Sequence, residues 1–445
     1  MPDLEGKHIV VAGAGVSGVA AANFCHSRGA HVSVSDSRPT TSIVGLEQLD
    51  THIELDCGGH VDNLFLNADL IILSPGIPLH APIISRAIQA GIPVWGEIEL
   101  ASRFLSTPII AITGTNGKST VTSLCGHILQ RCGEQVFVGG NIGTPLIEAV
   151  DGDYSVAVVE LSSFQLESVA TFHPHVAVLL NISPDHLDRY ADMRSYMEAK
   201  QRIFANQNAT DLMVLNHDDP RVLALAHDFP ARRICFSSTY MLEEGMSLEF
   251  PSIVWRHRSE VHRFDCSALE LQGRHNLENV MAALAACNWR GHAPATMWKA
   301  ACEFSGLPHR MELVRTLNGV RWYNDSKGTN IGSVEKSLSG LDTPVTLIAG
   351  GKDKGGDYAL LRPVLSEKRP QLILLGAAAD KMAASWGDLC DITMVSSLEE
   401  AVACAHQNTC APGCVLMSPG CSSFDMFGSF VERGEVFAAL VLALE

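Results

Sequence analysis

Positive charge is in short supply in this chain. Its 445 residues carry 32 Lys and Arg against 49 Asp and Glu, a formal net charge of −17, which repels nucleic acid and acidic membrane surfaces. An anionic ligand must therefore be a small molecule, held by local loops with the help of a divalent cation. Long apolar runs are missing too. The run Val436–Leu444 is far too short to span a bilayer and reads as a buried terminal helix. The opening Met-Pro-Asp-Leu-Glu-Gly-Lys is polar and leads into a short glycine-rich stretch, unlike a secretory signal. There is no repeat of about twenty to fifty residues and no low-complexity tract. The 13 cysteines lack the paired spacers of a zinc site: Cys404, Cys410, Cys414 and Cys421, with His406 nearby, read as helical and buried-strand residues instead. These absences predict a cytoplasmic chain with reduced thiols and no membrane or nucleic-acid partner.

What is present is a globular composition, 47% hydrophobic and 18% charged, in a chain long enough for about two to three domains. Residues 111–120 read Ala-Ile-Thr-Gly-Thr-Asn-Gly-Lys-Ser-Thr. A strand (108–113) ends in a glycine loop, and Lys118 and Ser119 open a helix (121–130). Gly114 and Gly117 let the loop turn its N–H groups toward phosphate oxygens. Lys118 can then reach the outer phosphates of a nucleoside triphosphate, and the Ser119 hydroxyl can ligate Mg²⁺. The loop is expected to be exposed, with its lysine pointing at ligand.

The first segment carries a second phosphate signature. A strand (8–12) precedes Gly13-Ala-Gly15-Val16-Ser17-Gly18 and a small-residue helix, and a strand (31–35) ends in Asp36. By itself this pattern fits a nicotinamide dinucleotide, with the acid on a ribose. Ser74-Pro-Gly76-Ile-Pro78 follows a further strand (68–73), where open α/β sheets bind ligands. Beyond a linker near 105–107, Glu160 ends the strand 156–159, a place for a second Mg²⁺ contact. His186 and Lys200 follow the strand 176–180. A solvated strand-end acid and a loop-capping histidine are the plainer readings of Glu160 and His186.

From 232 to 271 short alternating runs suggest a small antiparallel sheet, and Gly273 to Asn279 opens an alanine-rich helix. A third unit begins near 306–310, with strands at 319–323, 345–349, 372–375 and 414–417 alternating with helical stretches. Its strands end in polar loops: Asn324-Asp325-Ser-Lys327-Gly-Thr329-Asn330, Gly350-Gly-Lys-Asp-Lys354, and Ser418-Pro-Gly-Cys-Ser-Ser423-Phe424-Asp425. Lys354 is placed to hold a carboxylate.

Thr113–Thr120, Glu160-Leu-Ser162-Ser-Phe-Gln165, His309-Arg310 and Asp325–Asn330 together resemble the signatures of the Mur ligases, ATP-dependent amide-forming enzymes of bacterial cell-wall synthesis. The resemblance covers essentially the whole chain. It implies three α/β domains: a Rossmann-like UDP-sugar domain (1–100), a P-loop-type ATP domain with the small antiparallel sheet (101–306) and a Rossmann-like amino-acid domain (307–445).

The first glycine turn is then implied to hold the diphosphate and uracil of a UDP-sugar rather than NAD. Gly15, Val16, Ser17, Gly18, Asp36, Ser37, Ser74, Gly76, Asn141, Ser162, Gln165 and His186 are its implied contacts. ATP would meet Gly114, Thr115, Asn116, Gly117, Lys118, Ser119 and Thr120, with Asn276 and Asn279 on the adenine side and Arg310 and Asp325 from the third domain. Ser119, Glu160, His186 and a carbamylated Lys200 are implied Mg²⁺ ligands, and Lys327 joins Lys118 in catalysis.

Ser74–Pro78, Gly350–Lys354 and Ser423–Phe430 with Arg433-Gly434 imply the member that adds D-glutamate to a UDP-N-acetylmuramoyl-L-alanine carboxylate. Thr329, Lys354, Ser423 and Phe424 would take the amino acid. The Asp-Asn-Pro-Arg stretch of the diaminopimelate- or lysine-adding relative is absent. A folate-polyglutamating or L-alanine-adding relative, a dinucleotide oxidoreductase and a P-loop switch or transport ATPase are the alternatives. The last lacks its guanine-reading or transporter signature. The chain is expected to work as a monomer on small molecules.

Overall fold

Strands apolar on both faces must be covered on both, and in a parallel sheet helices do this. The runs Ile-Ile-Ala-Ile-Thr and Val-Ala-Val-Val-Glu are of this kind, and every residue in each is buried. The computed structural model describes residues 2–43, 45–187, 189–257, 259–271, 273–341 and 344–445. Its described residues form three α/β domains, each built on one sheet.

The first sheet holds β1 (His8–Ala12), β2 (His31–Asp36), β3 (Glu54–Cys57), β4 (Leu70–Leu73) and β5 (Val94–Gly96), in the order β3-β2-β1-β4-β5 and all parallel. The direction of winding reverses between β1 and β4. The loops after these two strands, Gly13–Gly18 and Ser74–Pro78, therefore lie together at the switch point. A side chain on Gly18 would collide with the Gly13 carbonyl, and a Cβ on Gly13 would sit 2.8 Å from that of Ser74.

The second sheet contains β6 (Ile109–Thr113), β7 (Val136–Gly140), β8 (Val156–Glu160), β9 (Val176–Leu179), β10 (Leu212–Asn216), β11 (Arg232–Ser237), β12 (Gly245–Glu249), β13 (Ser252–His257) and β14 (Glu260–Asp265). Their order is β14-β13-β12-β11-β10-β9-β6-β8-β7. The glycine loop after β6 is thus flanked by the ends of β8 and β9.

The antiparallel sheet expected over 232–271 is smaller than the sequence suggests. β11 runs parallel to β10, and only β12 to β14 pair antiparallel, as an extension of the same sheet. The helix Arg274–Cys287 packs its Val280–Cys287 stretch, wholly buried, against the phosphate-loop helix Lys118–Arg131.

The third sheet runs β15-β16-β20-β17-β18-β19, from β15 (Glu312–Leu317), β16 (Val320–Asn324), β17 (Val345–Gly350), β18 (Gln371–Leu375), β19 (Ile392–Met394) and β20 (Gly413–Met417). Only β15–β16 pair antiparallel. Because β16, β20 and β17 are neighbours, the loops 325–330, 418–425 and 350–355 leave the sheet side by side.

The terminal helix is Phe430–Leu442. It buries Phe437 and Val441 but leaves Leu442 60% exposed, so it is an amphipathic cover rather than a fully buried helix. Among the described residues no helix is long and apolar enough to cross a membrane.

Candidate active site

The phosphate loop is laced to the segment after β9. Thr115 N–H donates to Asn181 O at 2.9 Å, and Asn116 N–H to Asn181 Oδ1 at 2.8 Å. Asn181 Nδ2 returns a bond to Asn116 O at 3.0 Å, and Ser183 N–H reaches Thr115 Oγ1 at 3.0 Å. Gly117 has φ +87°, and a Cβ there would lie 2.5 Å from Asn279 Oδ1. Glycine is needed both for the left-handed turn and for the approach of Asn279.

Lys118 Nζ donates to Gly114 O (3.0 Å) and Thr115 O (2.9 Å). Lys200, only 2% exposed, donates to the same Gly114 O at 2.9 Å. Burial pushes the Lys118 ammonium below its ordinary range, with Glu160 and Asp185 opposing. Lys200 is pushed well below, first by burial and then by Lys118. The loop is not exposed as expected. Gly114 and Thr115 are buried against Leu180, Ser183 and Tyr196 of the same domain, and Asn116 to Lys118 are half-buried, with residues of the third domain reaching Asn116. Ser333 Oγ donates to Asn116 Oδ1 at 2.8 Å, Asn330 Nδ2 reaches Asn116 Oδ1 (3.3 Å) and Asp185 Oδ2 (3.2 Å), and Arg310 Nη2 reaches Ser119 Oγ at 3.1 Å.

Glu160 ends β8 at 1% exposure. One carboxylate oxygen accepts from Asn141 Nδ2 at 2.7 Å, while Oε2 is buried with no partner among the described residues. His186 sits at φ +56° with its ring 4.7 Å from that of Phe164, and burial holds its imidazole below the usual range. The orphaned Glu160 oxygen is an acceptor of the kind a hard divalent cation takes, and the Ser119 hydroxyl is a second oxygen of that kind.

Three clefts open between the domains. One of about 640 Å³ is lined by Asn116, Gly117 and Thr120 of the phosphate loop, Asn276 and Asn279 of the helix Arg274–Cys287, and Arg310 and Asp325 of the third domain. Asp325 accepts from Ser337 Oγ (2.8 Å) and Ser418 Oγ (2.7 Å), and burial raises its carboxyl. Lys327 lies with Nζ 4.9 Å from the Phe430 ring centre, and burial lowers it to about 8.

A second cleft of about 960 Å³ joins His186 and Leu187 to Lys354, Ser422 and Phe424. Lys354 Nζ donates to Thr329 Oγ1 at 3.2 Å, and Phe424 is 68% exposed. Ser423 is 3% exposed, and it is Ser422 that lines the cleft. A third, of about 280 Å³, brings Ser74, Pro75 and Glu97 to Phe164 and Gln165. There Ser162 and Gln165 form a reciprocal cap: Gln165 N–H donates to Ser162 Oγ (3.2 Å), and Ser162 N–H to Gln165 Oε1 (3.0 Å).

In the first domain Gly15 caps the helix Val16–Ser27, with Val16 63% exposed and Ser17 half-buried, and Ser37 and Gly76 are exposed; Asn141, just after β7 of the second domain, is exposed too. The Asp36 carboxylate is already engaged. It accepts from Ala14 N–H (2.9 Å) and from Arg38 Nε and Nη2 (3.0 and 2.7 Å), which hold it far below the usual carboxylate range.

Sequence reasoning missed Arg189, Asp185 and Ser333. Arg189 spans two domains, donating to Pro75 O (3.2 Å) and Glu167 (2.9 Å) with its guanidinium 4.0 Å from the Phe164 ring centre. The Asp185-His186 pair two residues after Ser183 was the available signal.

Three family models match in succession: the Mur ligase MurD-like N-terminal domain over residues 7–96, the Mur ligase middle domain over 112–287, and the Mur ligase glutamate ligase domain over 309–421. The chain belongs to the Mur ligase family. This Mur ligase is 54% identical over 447 aligned residues to the UDP-N-acetylmuramoylalanine–D-glutamate ligase of Syntrophotalea carbinolica, covering 100% of this chain and 99% of the relative. It is 48% identical to the enzyme of the same name from Geotalea uraniireducens, with the same coverage. Among solved structures, the UDP-N-acetylmuramate–alanine ligase of Thermotoga maritima has the same fold, with a TM-score of 0.60 at 20% identity, over 97% of this Mur ligase and 98% of that chain.

Proposed function

We propose that this Mur ligase joins D-glutamate to UDP-N-acetylmuramoyl-L-alanine with cleavage of ATP to ADP and phosphate, in the cytoplasmic synthesis of peptidoglycan precursors for cell-wall growth and division. One observation carries the ligase reading: the 640 Å³ cleft where phosphate loop, Asn276–Asn279 and Arg310–Asp325 converge. The choice of amino acid is supported by the full-length identity to D-glutamate ligases. In this reading residues 1–100 hold the UDP-sugar, 101–306 hold ATP and 307–445 bring the amino acid, and the protein works as a monomer.

The alanyl carboxylate takes the γ-phosphoryl group of ATP, giving an acyl phosphate and ADP. The D-glutamate amine then attacks the acyl carbon; the tetrahedral intermediate expels phosphate, and the amine proton passes to solvent. Two anions must meet in the first step, so charge neutralisation is the main catalytic need. Lys118 and Lys327 supply it from the loop and from the third domain. Mg²⁺, held by Ser119, Glu160, His186 and Lys200, would screen the phosphate oxygens when bound.

Lys200 takes part as a carbamate: its neutral amine adds to CO₂, forming an N–C bond and losing one proton. The burial that disfavours its ammonium keeps that amine available. Asn276 and Asn279 face the adenine, and Lys354, Thr329, Ser423 and Phe424 receive the glutamate. The glycine turn 15–18 with Asp36, Ser37, Ser74 and Gly76 holds the UDP group. Asn141, Ser162, Gln165 and His186 guide the acceptor toward the phosphoryl group. Closure of the third domain shields the acyl phosphate from water.

The test is phosphate release in the presence of ATP, Mg²⁺ and UDP-N-acetylmuramoyl-L-alanine. D-Glutamate should be required, and L-glutamate, L-alanine, L-lysine and diaminopimelate should fail. A preference for any of these four would overturn the assignment.

A further inference from the structure

Arg433 is 3% exposed, and among the described residues no ion pair includes it. A guanidinium buried without a carboxylate is costly unless its donors are used. Here four of its five N–H groups are. Nε donates to Ser326 Oγ at 3.0 Å and Nη2 to Ser326 O at 2.8 Å, while Nη1 and Nη2 both reach Cys421 O at 3.3 Å.

Ser326 belongs to the loop that carries Asp325, Lys327 and Thr329, and Cys421 to the loop that carries Ser423. The third ligand loop is in reach as well. A Cβ on Gly351 would lie 3.3 Å from Arg433 Nη1, and Lys352 N–H donates to Ser422 O at 2.9 Å, which ties the Lys354 loop to the same cluster.

The first turn of the helix Phe430–Leu442 reinforces the arrangement. Ser326 Oγ donates to Phe430 O at 2.7 Å, Asn324 Nδ2 to Gly434 O at 3.1 Å, and any side chain on Gly434 would collide with the His309 ring.

We propose that Arg433 is a positioning residue for the amino-acid half of the reaction: its fork clamps the Ser326 and Cys421 loops against the Gly351 loop. This sets Lys327, Lys354 and Ser423 at one fixed separation. It touches no substrate itself. Arginine is required because two carbonyls and a hydroxyl must be met by one planar group, which the single point of a lysine ammonium cannot do. The inference rests on the assignment of these loops to the amino-acid site.

The test is steady-state kinetics of the full chain with Arg433→Lys, which keeps the charge and the stem. Amide formation should fall about 100-fold in kcat/KM for the amino acid, as expected for a misplacement of about an ångström at a reacting pair. KM for UDP-N-acetylmuramoyl-L-alanine should change less than about threefold, because that substrate is held by the other domains.

Ser326→Ala removes one acceptor and disturbs the fold less. It should move the same parameter in the same direction, by about threefold to tenfold. Wild-type values for the amino acid in both variants would overturn the clamp, as would equal losses toward both substrates. If the wild type itself ligates some other amino acid, the D-glutamate reading fails. The clamp is then judged by the same comparison with that amino acid.

Discussion

Ser333 Oγ donates to Asn116 Oδ1 across 2.8 Å, from the third domain into the phosphate loop of the second. With Asn330 on the same oxygen and Arg310 on Ser119, the loop is held from above by residues some two hundred positions away in sequence. Ser333→Ala should weaken this docked arrangement by about 1 kcal/mol, the net worth of a neutral hydrogen bond. That corresponds to a rise in KM for ATP of up to about fivefold. An unchanged KM for ATP would mean that the bond does not help to assemble the site.

Lys118→Ala should abolish nearly all ligase activity and leave the melting temperature within a few degrees of wild type. Among the described residues its ammonium bonds only to carbonyls of its own loop. Loss of one positive charge at the phosphoryl group in transit should cost about 3–5 kcal/mol, several hundredfold or more in rate. Near-normal turnover would remove the phosphate-loop assignment.

Lys200→Ala should lose activity and regain part of it with a short-chain carboxylate, which replaces the carbamate oxygens. The direct check is a carbamate carbon signal in ¹³C NMR after equilibration with labelled bicarbonate, present in wild type and gone in the variant. A wild type with no such signal, active all the same, would rule the carbamate out.

The sequence made the ends of strands legible. Each glycine or polar loop read as a ligand segment follows β1, β4, β6, β16, β17 or β20, because apolar runs mark strands and turn residues mark where they stop. The pairing of strands was less legible, since the direction of β11 depends on its neighbour β10 rather than on its own alternation. Asp36 looked available because its partner Arg38 is a hydrogen-bonding matter that spacing does not record. Arg189 and Ser333 escaped notice for the same reason: their meaning lies in contacts with Pro75 and Asn116, each more than a hundred residues distant.

Lys354→Ala should raise the apparent constant for D-glutamate by at least about tenfold, as expected for the loss of a charged hydrogen bond to a carboxylate. ATP affinity should change little. A variant that loses ATP rather than glutamate would mean that the 960 Å³ cleft is not the amino-acid site.

Glu97 provides a pH signature. It is 2% exposed and accepts from Ile147 N–H at 2.7 Å, while its Oε2 has no partner among the described residues. Burial pushes its carboxyl up from 4.5 to about 7. A folded-state value above the unfolded one means a contribution fully present below pH 4.5 and lost as pH rises through about 7. The loss is on the order of 3 kcal/mol. Glu97→Gln keeps an acceptor and never ionises. Its melting temperature should therefore rise relative to wild type between about pH 5 and pH 7.5. Parallel pH profiles for the two proteins would contradict this.

The central claim is phosphoryl transfer to the alanyl carboxylate followed by attack of D-glutamate. It is tested most directly by labelling both carboxylate oxygens of UDP-N-acetylmuramoyl-L-alanine with ¹⁸O and following the released phosphate by ³¹P NMR. One ¹⁸O should appear in each phosphate, in step with amide formation and only when D-glutamate is supplied, because the bridging oxygen of the acyl phosphate leaves with phosphorus. Unlabelled phosphate, or labelled AMP in its place, would contradict the mechanism.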